Sequence, residues 1–140
     1  MTSSALSSFQ AHRYRRLGFP NLFSSVDDTY HLVLVVAIAQ VELTAADLPA
    51  GWILDDAQRI LRQMSHQLQQ QHLVLVQPNA AERQQLFDDG LILHHSRRQL
   101  LERVITTVLQ QGSADRRLIN QLTSLQALLG SGAVLLVRPD

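Results

Sequence analysis

An internal correspondence constrains the fold of this chain more than any other feature of its sequence. When the chain is shifted by 61 positions, so that position 57 meets position 118, Gly51 meets Gly112 and the tripeptide VQP meets VRP. The same shift superposes two sets of four apolar residues, Ala57, Leu61, Met64 and Leu68 on Leu118, Leu122, Leu125 and Leu129. Their steps of three and four residues are typical of an amphipathic helix with one buried stripe. The pattern therefore predicts two copies of a helix–helix–strand unit.

Apolar runs and turn residues place further elements along the chain. The run DDTYHLVLVVAIAQVE, which begins at Asp27, is predicted to form a helix, although its β-branched residues would also suit a strand. Thr44 is predicted to cap a short helical piece, AADL, before Pro49 and Gly51 interrupt the chain. Three strands are predicted, in the segments HLVLVQP, LILHH and AVLLV.

Capping residues predict where the later helices begin and end. Ser and Asn side chains accept hydrogen bonds from the free amides of a first helical turn. Such N-caps are predicted at Asn79 (with Glu82 as its capping-box partner), Ser96 and Ser113. Glycine can adopt the left-handed conformation that commonly follows a helix. Glycines are predicted to end these three helices at Gly90, Gly112 and Gly130.

The length of the chain sets the size of the expected core. The chain has 140 residues, of which 46% are apolar and 17% charged, and a globular chain of this length buries roughly 70% of its unfolded surface. We therefore expect an α+β, helix-rich fold in which two helix–helix–strand halves share one core. The expected divisions are a flexible arm over residues 1–24, a first half over residues 25–95 and a second half over residues 96–140.

The first copy resembles a winged-helix unit in the order of its elements. Its sequence, VELTAADLPAGWILDDAQRILRQMSHQLQQQHLVLV, contains a short helix at LTAADL, a longer helix and a strand. The passage DGLILHHSRRQLLERVITTVLQQ is similar to the strand-to-helix connection between consecutive winged-helix modules. A DNA reader of this family places the start of its third helix against bases and phosphates. Here that position holds Leu54, Asp55 and Asp56, and adjacent carboxylates repel a phosphate backbone.

The residues that could support catalysis or bind a metal lack the required spacing. The chain has no Cys, which excludes disulfides, thiolate zinc sites and iron–sulfur clusters. His94 and His95 would point to opposite faces of a strand, and the two histidines of HQLQQQH stand too far apart to share a helix face. A triad of Ser96, His95 and Asp89 can be written, but Ser96 already has a role as an N-cap. We expect no metal, no cofactor and no enzyme activity.

Basic residues supply the candidate binding surfaces. Twelve basic and twelve acidic residues cancel, so binding to DNA would depend on a local patch. The candidates are three groups: Arg13, Arg15 and Arg16 in the arm, Arg59, Arg62 and His66 on one helix face, and Arg97 and Arg98 at a helix start. Positive charge in a first helical turn opposes the helix dipole. The pair Arg97 and Arg98 therefore indicates an acidic partner, inside or outside the chain.

These patterns favour binding over catalysis. We expect a non-catalytic protein–protein interaction module or assembly subunit that binds a protein partner or a second copy of itself. The alternative is a DNA-binding transcriptional regulator that uses the three basic groups. The longest apolar run, LVLVVAIA, is far shorter than the ~20 residues that span a bilayer, so no membrane partner is expected. The N-terminus lacks the apolar core of a secretory signal, and a bacterial cytoplasm is the expected location.

Overall fold

The computed structural model describes residues 29–71 and 73–137, together with the single residues Arg16 and Gly18. Over residues 29–71 and 73–137 the chain forms five α-helices and two strands, an α+β, helix-rich fold as expected. The helices are α1 (Thr29–Gln40), α2 (Leu54–Leu68), α3 (Ala80–Asp88), α4 (His95–Gln111) and α5 (Arg116–Gly130). The strands are β1 (Leu73–Val76) and β2 (Val134–Val137), and a 3-10 helix spans Ala45–Asp47. The predicted helix start at Asp27 lies outside the described residues. So does the predicted arm, apart from Arg16 and Gly18.

The second helix and the strand of the predicted repeat form at nearly equivalent positions, whereas α4 begins later and is longer than the shift from α1 predicts. All eight residues of the two predicted stripes are buried, four in α2 and four in α5. The strand β2 begins and ends 61 positions after β1. Gly51 (φ 88°) and Gly112 (φ 80°), which precede α2 and α5, both adopt the left-handed conformation that favours glycine. The order helix, helix and strand therefore occurs twice, first in α1, α2 and β1 and again in α4, α5 and β2. Helix α3 lies between these two segments.

The two strands pair with each other across the two segments. β1 and β2 are antiparallel, and all four residues of each are paired. The other edge of β2 meets residues 91–93, where the Leu93 amide donates to the Leu135 carbonyl at 2.9 Å. The predicted strand LILHH forms only an isolated bridge to β2, because the chain leaves the sheet directly after Leu93 to begin α4. β2 is therefore the central element of the sheet.

Both faces of this small sheet are covered, which explains the uninterrupted apolar sequences of its strands. Neighbouring strand residues point to opposite faces. On one face, the larger core cluster joins Leu73, Leu75 and Leu135 to buried residues of α1, α2, α4 and α5. On the other face, a smaller cluster contains Val74, Val76, Leu86, Leu91, Val134 and Leu136. Because Leu86 belongs to α3, this helix covers the second face of the sheet.

Most of the predicted caps are confirmed. Asn79 and Glu82 form a reciprocal capping box at the start of α3, with both hydrogen bonds at 2.8 Å. Gly90 follows α3 with a φ of 72°, as predicted. At the 3-10 helix, the amide and hydroxyl of Thr44 both donate to Asp47 Oδ2. Local hydrogen bonds thus define these element ends.

Two predicted helix starts are wrong, because a neighbouring side chain accepts the first free amides. The N-cap of α4 is His94, not Ser96, and His94 Nδ1 accepts from the Ser96 amide at 3.2 Å. The N-cap of α5 is Asp115, whose Oδ1 accepts from two amides at 3.0 and 3.2 Å. A carboxylate at this position is also favoured by the helix dipole. Ser113 lies two residues earlier, and its hydroxyl oxygen accepts from the Asp115 amide.

The predicted end of α5 is also displaced. Gly130 is the last residue of α5 and does not adopt a positive φ. The left-handed position belongs to Gly132, with a φ of 105°. A side chain at this φ would be strained, and a Cβ on Gly132 would also lie 3.3 Å from Arg83 Nη2. The turn into β2 therefore depends on Gly132 and not on Gly130.

His31 connects α1 to the start of β1. It is only 6% exposed, and its Nδ1 accepts a hydrogen bond from the Leu73 amide at 3.3 Å. We expect His31→Leu to lower the free energy of unfolding by about 1–3 kcal/mol, because a buried amide then loses this acceptor. Urea denaturation followed by circular dichroism measures the change. The control is His66→Leu on the exposed surface of α2, where we expect a change within about 0.5 kcal/mol. Equal effects of the two variants would contradict the proposed role of His31.

Candidate functional site

The outward-pointing side of α1 is apolar and exposed. The helix sequence, TYHLVLVVAIAQ, contains no Asp, Glu, Lys or Arg. Its inward residues are buried in the larger core cluster: Val33, Leu34, Ala37 and Ile38. Leu32 and Val36 are 70% and 45% exposed, and Ala39 is also exposed. Since steps of four and three residues align side chains along a helix, these three residues form one stripe, which we call the outer face of α1.

A helix that is apolar on all sides is normally buried on all sides. Single exposed apolar residues are common on protein surfaces, but contiguous ones mark interaction sites. Among the described residues, no element covers Leu32, because 70% of it remains exposed. The sequence predicts this helix but not its outer face, since a uniformly apolar sequence does not show which side lies in the core.

The predicted basic face of α2 is exposed but partly neutralised. Arg59, Arg62 and His66 all lie at the surface, as their spacing predicts. Arg59 Nη2 forms an ion pair with Asp56 Oδ1 at 3.0 Å. Asp55 and Asp56 both occupy the first turn of α2. The negative charge therefore lies beside the arginines at the end of the helix where a DNA reader would approach phosphates.

The other predicted basic groups lie apart from this face or outside the described residues. Arg13 and Arg15 of the arm are not among the described residues, and Arg16 is exposed. Arg62 lines a shallow groove beside the end of α1, together with Glu42. Arg97 and Arg98 line a different groove. The structure thus places Arg62 and the Arg97–Arg98 pair in two separate grooves.

The second groove has a volume of about 930 Å³ and contains the Arg97–Arg98 pair. It lies where the start of α4 meets the ends of α3 and α5. Five basic or imidazole side chains line it: Arg83, His94, His95, Arg97 and Arg98. Among the residues that the structure describes, no Asp or Glu lines it, and its apolar surface includes Ile92, Val134 and Val137. We call this the α4 groove. The sequence does not predict Arg83 in this groove, because nothing in its local pattern indicates a position near α4.

Two of these arginines donate hydrogen bonds to backbone carbonyls at the end of α5 and in the turn that follows it. Arg98 Nη2 donates to the Leu129 carbonyl at 3.2 Å, and Arg83 Nη2 donates to the Gly132 carbonyl at 2.8 Å. Arg98 Nε also donates to Glu102 Oε2 at 3.4 Å. The acidic partner predicted for Arg98 therefore lies within the chain. Carbonyls at the end of a helix need such donors, so Arg83 and Arg98 have structural roles.

Arg97 differs from Arg83 and Arg98 in its hydrogen bonding. Its Nη1 is fully buried and has no hydrogen-bond partner among the described residues. A buried donor without an acceptor costs about 1–3 kcal/mol, and more when it is charged. The acidic partner predicted for Arg97 is therefore not found among the described residues.

His94 and His95 do not lie in a strand, contrary to the sequence prediction. His94 is the N-cap of α4, His95 is its first residue, and both line the α4 groove. His94 Nδ1 lies 2.8 Å from Ser96 Oγ, so Ser96 pairs with His94 and not with the His95 of the possible triad. Within the described residues, no three His, Asp or Glu side chains lie close enough to hold a metal ion together.

Comparisons of this chain with protein-family models, curated proteins and solved structures gave no match. The helices within residues 29–71 and 73–137 are too short or too polar for any of them to span a bilayer.

Proposed function

We propose that this protein is a non-catalytic protein–protein interaction module, an assembly subunit that binds a second copy of itself. The observation that supports this proposal is the outer face of α1, an exposed apolar stripe on a helix without charged residues. Covering such a stripe removes apolar surface from water and favours association. The contact is small, so we expect a weak, concentration-dependent dimer.

The charge distribution favours a second copy as the partner. Most oligomers of identical chains use a two-fold contact in which one patch meets itself, so any charge on that patch would face a like charge. Residues 29–40 contain no Asp, Glu, Lys or Arg, and the whole chain has a formal net charge of zero. Two outer faces can therefore meet without repulsion, and a chain near zero net charge is prone to self-association.

We further propose that the two segments are winged-helix-like halves that share one core, over residues 25–95 and 96–140. The repeated order of helix, helix and strand supports this interpretation. In this arrangement the strand that follows the second helix of each half pairs with its counterpart in the other half. A wing strand that pairs with the other half holds the two halves together, which fits an assembly role better than a DNA-reading role.

The alternative function, a DNA-binding regulator, has weaker support. The ion pair between Arg59 and Asp56 and the adjacent Asp55 reduce the attraction of α2 for phosphates. We expect only weak, non-specific DNA binding, with a dissociation constant of roughly 10⁻⁴ to 10⁻⁶ M at physiological salt. Sequence-specific nanomolar binding with a steep salt dependence would replace our proposal with the alternative.

Sedimentation equilibrium of the full chain tests self-association through the outer face. We expect the average mass to rise toward twice the monomer mass as concentration increases. The double variant Leu32→Gln with Val36→Gln should remain a monomer, because it makes the outer face polar. The matched control is Phe87→Gln, since Phe87 is 68% exposed and Leu32 is 70% exposed. A wild-type monomer at all concentrations, or equal masses for the double variant and the wild type, would contradict the proposal.

A further inference from the structure

The α4 groove combines positive charge with an apolar surface. Its described lining includes three arginines and two histidines but no carboxylate side chain. The volume of about 930 Å³ lies within the range of roughly 300–1,000 Å³ that is typical of small-molecule sites. The apolar lining residues Ile92, Val134 and Val137 would contact an uncharged part of a ligand. The groove is therefore suited to a small anion that also has an apolar portion.

Arg97 is the residue that identifies where the anionic group would bind. Arg83 and Arg98 already donate to carbonyls at the end of α5. Arg97 Nη1 is buried without an acceptor in the described part of the chain, although guanidinium groups in proteins normally donate to carboxylates, phosphates or carbonyls. Arg97 is only partly buried and lines the groove, so a small rotation of its side chain would bring this donor to a carboxylate or phosphate oxygen, which would accept a charge-assisted hydrogen bond.

The position of Arg97 in the chain supports the same chemistry. It lies in the first turn of α4, where a positive side chain opposes the helix dipole. An anion bound in the groove would be attracted both by Arg97 and by the positive end of this dipole. The unfavourable placement of Arg97 in the free protein would then become favourable in the complex.

We propose that the α4 groove binds a small organic anion, a phosphate or carboxylate compound with an apolar portion, and that Arg97 contacts its anionic group. Phosphate and carboxylate groups share the oxygen geometry that a guanidinium recognises. This site is distinct from the outer face of α1 and does not depend on self-association.

Isothermal titration calorimetry of the full chain at constant ionic strength tests this proposal with phenyl phosphate and benzoate, and with inorganic phosphate as the probe without an apolar portion. We expect phenyl phosphate or benzoate to bind more tightly than inorganic phosphate, and the tighter of the two identifies the anionic group. Arg97→Gln should weaken binding by about tenfold or more, since it removes a charge-assisted hydrogen bond. Arg62→Gln, which changes an arginine of the other groove, should leave binding unchanged.

The stability of the free protein shows whether the Arg97→Gln variant is folded. Because Arg97 Nη1 has no acceptor among the described residues, Arg97→Gln should not lower the melting temperature of the free protein. If that variant fails to fold, Arg97→Lys retains the charge and should still weaken binding, because lysine cannot present two parallel donors. Absence of binding by all three probes, equal affinities for the Arg97 and Arg62 variants, or Arg97-dependent binding of duplex DNA alone would each overturn the proposal.

Discussion

Leu125→Ala is expected to lower the free energy of unfolding by about 2–5 kcal/mol. Leu125 is 0% exposed and lies in the larger core cluster, which α5 shares with α1, α2 and α4. Removing its side chain loses apolar burial and leaves a cavity, because closely packed neighbours relax only partly. Urea denaturation followed by circular dichroism measures the difference between the variant and the wild type.

The control for this variant is the preceding residue, Ser124, on the exposed surface of α5. Ser124 is exposed, so Ser124→Ala should change the stability by no more than about 0.5 kcal/mol. A loss of less than about half a kcal/mol for Leu125→Ala would mean that α5 is not packed against the core as described.

Leu136→Asp is expected to have a still larger effect, a loss of at least about 4 kcal/mol. Leu136 is 0% exposed in the central strand β2, and its side chain lies in the smaller cluster that α3 covers. The substitution removes a buried leucine and places a carboxyl group among apolar side chains, where it has no hydrogen-bond partner. Since small domains are stable by only about 5–15 kcal/mol, much of this variant should be unfolded at 25 °C.

Circular dichroism and chemical denaturation at neutral pH measure this effect. The matched control is Phe87→Asp, which introduces the same carboxyl group on α3 at a residue that is 68% exposed. The control should remain folded with a stability near that of the wild type. A folded Leu136→Asp variant with wild-type stability would show that α3 does not cover the second face of the sheet.

The helices and strands could be predicted because their signals are local and repeated. The leucine stripes of α2 and α5 contain enough turns to define a period, and both stripes are buried. The four-residue apolar runs LVLV and VLLV identified β1 and β2. What remained unpredictable was their pairing, since antiparallel contact between β1 and β2 joins residues far apart in the sequence.

Helix starts were predicted less well because several residues compete to accept the same amides. Ser96 has a good capping pattern, yet the chain leaves the sheet in a direction that presents His94 Nδ1 to the Ser96 amide. Ser113 has the right residue type, but Asp115 lies closer to the free amides of α5 and has a charge that suits the dipole. Such choices depend on backbone direction, which composition does not show.

The candidate sites could be predicted only in part. Arg97 and Arg98 were identified by their unusual position in a first helical turn, but Arg83 reaches the same groove from α3 through tertiary packing. The outer face of α1 gave no sequence signal, since all sides of this helix are apolar. Which side lies in the core is decided by the shape of the whole domain.

A thiol placed on the outer face of α1 tests the central claim most directly. The chain has no Cys, so Val36→Cys introduces a single reactive thiol, and Cys is itself a small apolar residue that should preserve the contact. If a second copy covers the outer face, mass action predicts that alkylation by iodoacetamide slows by about two- to threefold between about 1 μM and about 200 μM protein for a weak dimer with a dissociation constant of about 100 μM, and by more for a tighter one. Phe87→Cys, on a residue of α3 that is 68% exposed against 45% for Val36, should react at one rate throughout. A rate at Val36→Cys that does not change with concentration would contradict the claim, whether fast, as for an uncovered face, or slow, as for a face covered by its own chain.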